Sequence, residues 1–311
     1  LVDFSNTPIR FSWRYIPHHE TMTEITPGSS MATHGKISHS GAISWRRIAA
    51  WRVWPSTAKW LGLIVIILMY IPLVWLAVMS FSDRPLSGIP YPLTSGHYRE
   101  LLGEFHKWGE PLYESVILGL IVAVVCMVVA TAVGRAIPRL RKPGGVLLVA
   151  LIPLFVPGLT MGAALFIFIR SFLELRLGLW SIFIGHLVWA LPFSLLLVLI
   201  IAVRFDHRLL EAAEDLGAKK WRRFWNIEFP ILRPGIIGAG IFGFLLSFNE
   251  LLRSVFLRGS ETTMPIYNWT MTASHQSQVP IIFSLSTIIL CVTLPILGGF
   301  FWILFAKLDR S

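Results

Sequence analysis

Six apolar runs fill nearly all of the chain after residue 59, at about 60–80, 113–134, 146–169, 180–203, 235–257 and 279–306. Twenty helical residues rise about 30 Å, which matches the hydrocarbon thickness of a bilayer, so each run is long enough to cross one. Lipid offers no water to an unpaired backbone amide, and spans of this length therefore fold as helices. The expected architecture is an all-α membrane protein with six transmembrane helices over residues 60–308. Composition agrees: 55% of residues are hydrophobic, 14% are charged, and the mean hydropathy is +0.67, far from the mixture of a soluble domain.

The net charge of +10 does not read as a nucleic-acid surface, because the cations lie in short segments at span ends. One side holds Arg46, Arg47, Arg52 and Lys59, then Arg135, Arg139, Arg141 and Lys142, seven more between Arg204 and Arg233, and finally Lys307 and Arg310. The other holds Arg84, Arg99, Lys107, Arg170, Arg176 and Arg258. Seventeen against six places the N-terminus in the cytoplasm. Cys126 and Cys291 both fall within spans and read as packing thiols. Neither a metal nor a cofactor is expected.

Residues 1–44 lack periodicity and are rich in Ser, Thr, His, Gly and Pro, the pattern of a disordered extension. Its scattered His18, His19, His34 and His39 do not make a metal site. From 45 to 59 tryptophans alternate with basic residues, which suits an interfacial amphipathic segment at the headgroup layer, in contact with membrane lipid. Outside, residues 81–112 form the longest loop, with an amphipathic piece from about Ser95 to Lys107. Pro72, Pro153, Pro157, Pro192 and Pro295 interrupt spans and are expected to kink them, with Pro157-Gly158 the strongest candidate for a functional bend. Gly235, Gly238, Gly240 and Gly243 read as close packing of the fifth span.

Between the fourth and fifth spans, residues 206–234 are organised beyond what a connector needs. Asp206 is a good N-cap, and a helix is expected from about His207. Leu209, Leu210, Ala213 and Leu216 share one face, which is expected to tuck under the bundle, while Arg208, Glu211, Glu214 and Asp215 face the other way. Gly217 supplies the left-handed residue that closes such a helix. A second apolar stripe follows at Trp221, Phe224, Trp225 and Ile227, with Pro230 and Pro234 expected to stop it before the fifth span. Two readings stay open on pattern alone: a docking surface for a soluble partner, or an amphipathic loop lying in the headgroup layer.

Glu211-Ala212-Ala213, Gly217 four residues later, and Ile227-Glu228-Phe229-Pro230 resemble the signature of permease subunits of ATP-binding cassette (ABC) importers, the binding-protein-dependent transport systems. The likeness extends over about 60–308 and implies the type I importer permease fold, the MetI-like kind. It implies that Glu211, Ala212, Ala213, Gly217, Ile227 and Pro230 form a coupling helix and turn docked to an ATP-binding subunit. A narrower resemblance, to the second permease of spermidine/putrescine-type importers, runs through Ser247-Phe248-Asn249-Glu250, Met264-Pro265-Ile266-Tyr267, His186 and Leu191-Pro192-Phe193. That subfamily usually carries an acid where this chain has Asn249.

Glu250 and Arg253 fall inside the fifth apolar run, where charges are costly enough to mark function. Three residues apart, they could neutralise each other or line a substrate path with Asn249 and His186. No phosphate-binding Gly-x-x-x-x-Gly-Lys-Ser/Thr loop occurs, so nucleotide chemistry belongs to another chain, and no membrane-hydrolase motif is present. The expected function is a non-enzymatic permease subunit in an inner membrane, passing a small polar solute, polyamine or amino-acid-derived. Its expected partners are two ATP-binding cassette subunits, a second homologous permease, and a periplasmic or extracellular substrate-binding protein. The alternative is a stand-alone secondary transporter or channel.

Overall fold

The structure, a computed structural model, describes residues 55–274 and 276–308. The disordered extension expected over 1–44, and residues 45–54 of the interfacial segment, lie outside the described residues. Contacts divide the chain at Leu61 and Gly62, and of the first unit only the opening turns of α1 are described.

Twelve α-helices follow one another among the described residues, joined by short 3-10 and π turns: α1 (Pro55–Met79), α2 (Gly96–Gly103), α3 (Phe105–Ala136), α4 (Pro143–Leu151), α5 (Gly158–Ile167), α6 (Leu179–Ala202), α7 (Arg208–Asp215), α8 (Lys220–Arg223), α9 (Phe229–Phe248), α10 (Ser254–Leu257), α11 (Met264–Ser274) and α12 (Val279–Leu308). Five helical segments are long and apolar enough to span a bilayer, or six if one bent pair counts as a span. The last five residues expected in the interfacial segment, 55–59, belong to α1.

The bundle centres on α3, α6 and α9, which pack against one another along their lengths. Lipid tails are as apolar as leucine, so these helices gain from contact only through tight van der Waals fit. The glycines of α9 provide it. A Cβ on Gly235 would lie 2.9 Å from the Leu197 carbonyl oxygen, and one on Gly243 3.2 Å from Ala123 Cα. Gly238 is looser, with its nearest neighbour at 3.7 Å. Ser194 Oγ of α6 adds a hydrogen bond to the Ala239 carbonyl at 2.9 Å.

At the Phe105 end of α3, α2 lies against α12, burying Leu101 with Trp108, Ile281 and Leu285. The Trp108 indole donates to the Leu101 carbonyl at 2.8 Å. The amphipathic piece expected in this loop is thus α2, although α3 already begins at Phe105.

Two spans are interrupted, the third at the bend expected at Pro157-Gly158 and the fifth where no break was expected. The third breaks: its halves, Pro143–Phe155 and Gly158–Phe172, meet at 97°. Pro153 and Pro157 each remove an amide donor, and the residue before a proline is driven out of the helical region, as Val156 is at φ −91° and ψ 124°. Pro72, Pro192 and Pro295 instead lie inside helices that run on through them. The fifth span stops at Phe248, and Asn249 to Arg253 form a non-helical turn before α10. Here the two interruptions meet: Cβ atoms on Gly158 and Gly162 would lie 3.2 to 3.3 Å from Leu252 and 3.1 to 3.3 Å from Arg253.

Candidate functional site

α7 starts where Asp206 sets it. The Asp206 carboxylate accepts from the Arg208 amide at 3.0 Å, and His207 is the residue at the helix start. At its far end Gly217 takes φ 79°, with its amide donating to the Glu214 carbonyl at 2.8 Å and the Ala218 amide to that of Ala213 at 2.9 Å. That paired geometry closes a helix and reverses the chain, and a side chain at Gly217 would strain it.

The expected tuck under the bundle is not found. No residue of α7 is buried, and Leu209, Leu216 and Trp221 are exposed, Leu216 to 89% and Trp221 to 71%. Polar contacts hold the segment instead. Arg223 pairs with Glu214 and donates to the Leu210 carbonyl at 3.4 Å, tying α8 back to α7. Glu228, only 4% exposed, pairs with Arg135 in the last turn of α3 and with Arg139 just beyond it. The Arg135 guanidinium also sits 4.3 Å over the Phe224 ring. A cleft of about 510 Å³ opens between these groups, lined by Glu211, Glu214, Arg139, His207 and Lys220 among others.

Pro230 and Pro234 do not stop the second stripe. Lys220–Phe248 is one helical run of 29 residues, because Phe224–Glu228 adopts a π turn just before Pro230. One extra residue in that turn makes room for a ring that would otherwise clash with the preceding carbonyls. Ile227 is part of this turn and half-buried, and Pro230 is exposed in the first turn of α9. Trp225 packs on Phe229 at 4.8 Å across the junction.

The four residues expected along a path separate into two groups. Glu250, Arg253 and His186 are buried together. Glu250 Oε2 accepts from Arg253 Nη1 at 2.7 Å, Glu250 Oε1 from the Arg253 amide at 3.0 Å, and the guanidinium lies 4.4 Å over the Trp189 ring. The two charges form their pair in the turn between α9 and α10, not on a helical face. His186 of α6 bridges that turn, its Nδ1 2.8 Å from Ser247 Oγ and its Nε2 2.7 Å from Ser254 Oγ. Asn249 alone points outward, its amide donating to the Leu245 carbonyl at 3.0 Å, and it lines a separate groove of about 290 Å³ between α9, α11 and α12.

Residues 144–306 match the family described as binding-protein-dependent transport system inner membrane component. The chain belongs to this family. Membership makes it the non-catalytic permease subunit of an ABC importer, a multi-pass protein of the inner membrane that works with ATP-binding and substrate-binding partners. The spermidine/putrescine transport system permease protein PotC of Escherichia coli (strain K12) is 28% identical over 232 residues, covering 73% of this chain and 85% of that one. The diacetylchitobiose uptake permease DasC of Streptomyces coelicolor is 25% identical over 254 residues, covering 74% and 90%. The trehalose permease SugB of Mycobacterium tuberculosis is 26% identical over 267 residues, covering 81% and 91%. A crystal structure of a bacterial ABC transporter involved in the import of the acidic polysaccharide alginate shares the fold, with TM-score 0.60 and 14% identity over 81% of this chain and 98% of its own.

Within this permease, sequence reasoning missed the partners of Glu228. A single acid inside a strongly basic segment was the available signal, and the cations it meets are 89 and 93 residues earlier in the chain. The groove's Asn268 was missed as well, since an isolated amide on a short helix carries no pattern.

Proposed function

We propose that residues 206–234 are the coupling segment of this permease and that its Glu211, Ala212, Ala213, Gly217, Ile227 and Pro230 transmit movements of an ATP-binding subunit. One observation carries the reading: a well-formed helix leaves Leu209 and Leu216 in the open, beside Trp221 and a charged cleft, on a segment continuous with a membrane span. Exposed apolar residues rimmed by charge mark a protein contact. Two ATP-binding cassette subunits would each take one such segment, one from this chain and one from a second homologous permease. Their closure on ATP favours one arrangement of the spans over the other. The N-terminus lies in the cytoplasm, as the positive-inside count supports, and an external binding protein delivers the solute. The solute is small and polar and passes the groove at Asn249. The names of the relatives divide between polyamines and saccharides.

Extraction in mild detergent tests this directly. An ATPase subunit should co-purify, and Gly217→Pro should insert normally but uncouple uptake from ATP hydrolysis. Proline cannot adopt φ 79° and removes the amide that donates to Glu214. Transport that persists without ATP, as a stand-alone carrier would give, sinks the reading.

A further inference from the structure

The groove that holds Asn249 is built from Phe248 and Asn249 at the end of α9, Met264 and Asn268 of α11, and Ser286 and Thr293 of α12. Ser286 and Thr293 follow the start of α12 by 7 and 14 residues, which places them about 10 to 21 Å along it. That is the middle of a hydrocarbon layer about 30 Å thick. No residue lining the groove is charged. Polar groups are nevertheless on offer. The Asn268 Oδ1 atom is buried without a hydrogen-bond partner among the described residues, and Asn249 is exposed.

The nearest acid does not serve the groove. Glu250 turns the other way, is 7% exposed, and spends both oxygens on Arg253. Its charge is matched by a guanidinium that is itself 3% exposed. At mid-membrane a polycation would shed hydration and meet no opposite charge on this wall, a heavy penalty in a low dielectric. A solute with hydroxyl or amide groups loses far less there and regains hydrogen bonds from Asn249, Asn268, Ser286 and Thr293.

We propose that this groove selects an uncharged, hydrogen-bonding solute, of the hydroxyl- or amide-rich class, and rejects polyamines. The inference rests on the reading that the groove lies on the transport path, and it departs from the substrate in the name of the PotC relatives.

Thiol labelling of the complete transporter in proteoliposomes tests it without a known substrate. Thr293→Cys, with Ser286→Cys as a second reporter, is made in a background where Cys126 and Cys291, the only native cysteines, are replaced by alanine. Cationic and anionic methanethiosulfonates are compared, each rate divided by its rate with free mercaptoethanol. For the native groove the normalised cation-to-anion ratio should lie within about threefold of one, and Asn249→Asp should raise it roughly tenfold by adding one nearby negative charge. Millimolar spermidine should slow labelling only in the Asn249→Asp protein. A native ratio of roughly ten, or protection of the native groove by spermidine, overturns the neutral class. Labelling that stays the same when the ATPase is trapped with ATP and vanadate shows instead that the groove is off the path, and the path reading fails with the inference built on it.

Discussion

Glu228 carries the sharpest consequence for stability. Its carboxylate is 4% exposed and faces Arg135 and Arg139, whose side chains are 29% and 48% exposed. Removing one member of a fully buried pair costs about 3–5 kcal/mol, whereas an exposed pair is worth about 1 kcal/mol or less. The site lies between these limits, because both guanidinium groups can turn to water once the acid is gone. Glu228→Gln keeps the shape and removes the charge, so about 2 kcal/mol is the expected loss. For a domain of this size that lowers Tm by about 4–8 °C, readable as the midpoint of size-exclusion recovery after heating in detergent. A double-mutant cycle with Arg135→Met isolates the pair, with a coupling energy of about 1 kcal/mol expected. A Tm within about 1 °C of the parent, or strictly additive losses in the cycle, would refute the idea that this ion pair holds the 206–234 segment to α3.

Other outcomes follow from single contacts. Gly217→Ala must place an L side chain at φ 79°, and about 1–2 kcal/mol of strain should appear as reduced ATP-driven uptake at normal membrane levels. Gly235→Val should lower Tm through about 1–3 kcal/mol of overpacking against Leu197, whereas Gly238→Ala, whose Cβ would meet Leu197 at an ordinary contact distance of 3.7 Å, should leave it unchanged. Equal effects of those two would count against glycine-mediated approach of α9 to α6. His186→Leu leaves the buried Ser247 hydroxyl without its partner and takes the ring contact from Ser254, whose hydroxyl still donates to the Glu250 carbonyl, so a loss of about 1–3 kcal/mol is expected, and an unchanged melting midpoint would remove the histidine from the support of the turn.

The span positions were legible because twenty apolar residues in a row have few other uses. So was α7, where Asp206 and Gly217 mark both ends by local chemistry that tertiary structure did not override. Breaks were harder to place. All five prolines were expected to kink their spans, with Pro157-Gly158 the strongest candidate for a bend, and the chain turns by 97° there, where Pro153 and Pro157 remove two donors close together, while the helices at Pro72, Pro192 and Pro295 run on. The end of α9 at Phe248 carried no proline or glycine at all. The turn that follows is held by one local contact, the Glu250 carboxylate on Arg253 three residues on, and by a long-range one that no local pattern signals, His186 from α6 clasping the serines on either side. The expectation that α7 would hide its leucines assumed that apolar residues seek the bundle.

Lys220–Phe248 gives the molecule a stiff arm. Its 29 residues span about 40 Å, from the aromatics at Trp221 and Trp225 to the edge of the groove at Asn249. An arm of that length multiplies angle into distance: a tilt of about 10° about its Lys220 end sweeps the far tip by about 7 Å, more than the width of a water molecule. No joint between the two ends has to be set for this to happen. The turn from Asn249 to Arg253, seated on Gly158 and Gly162, is then where such a sweep is absorbed, and the sharp corner of the third span is its abutment.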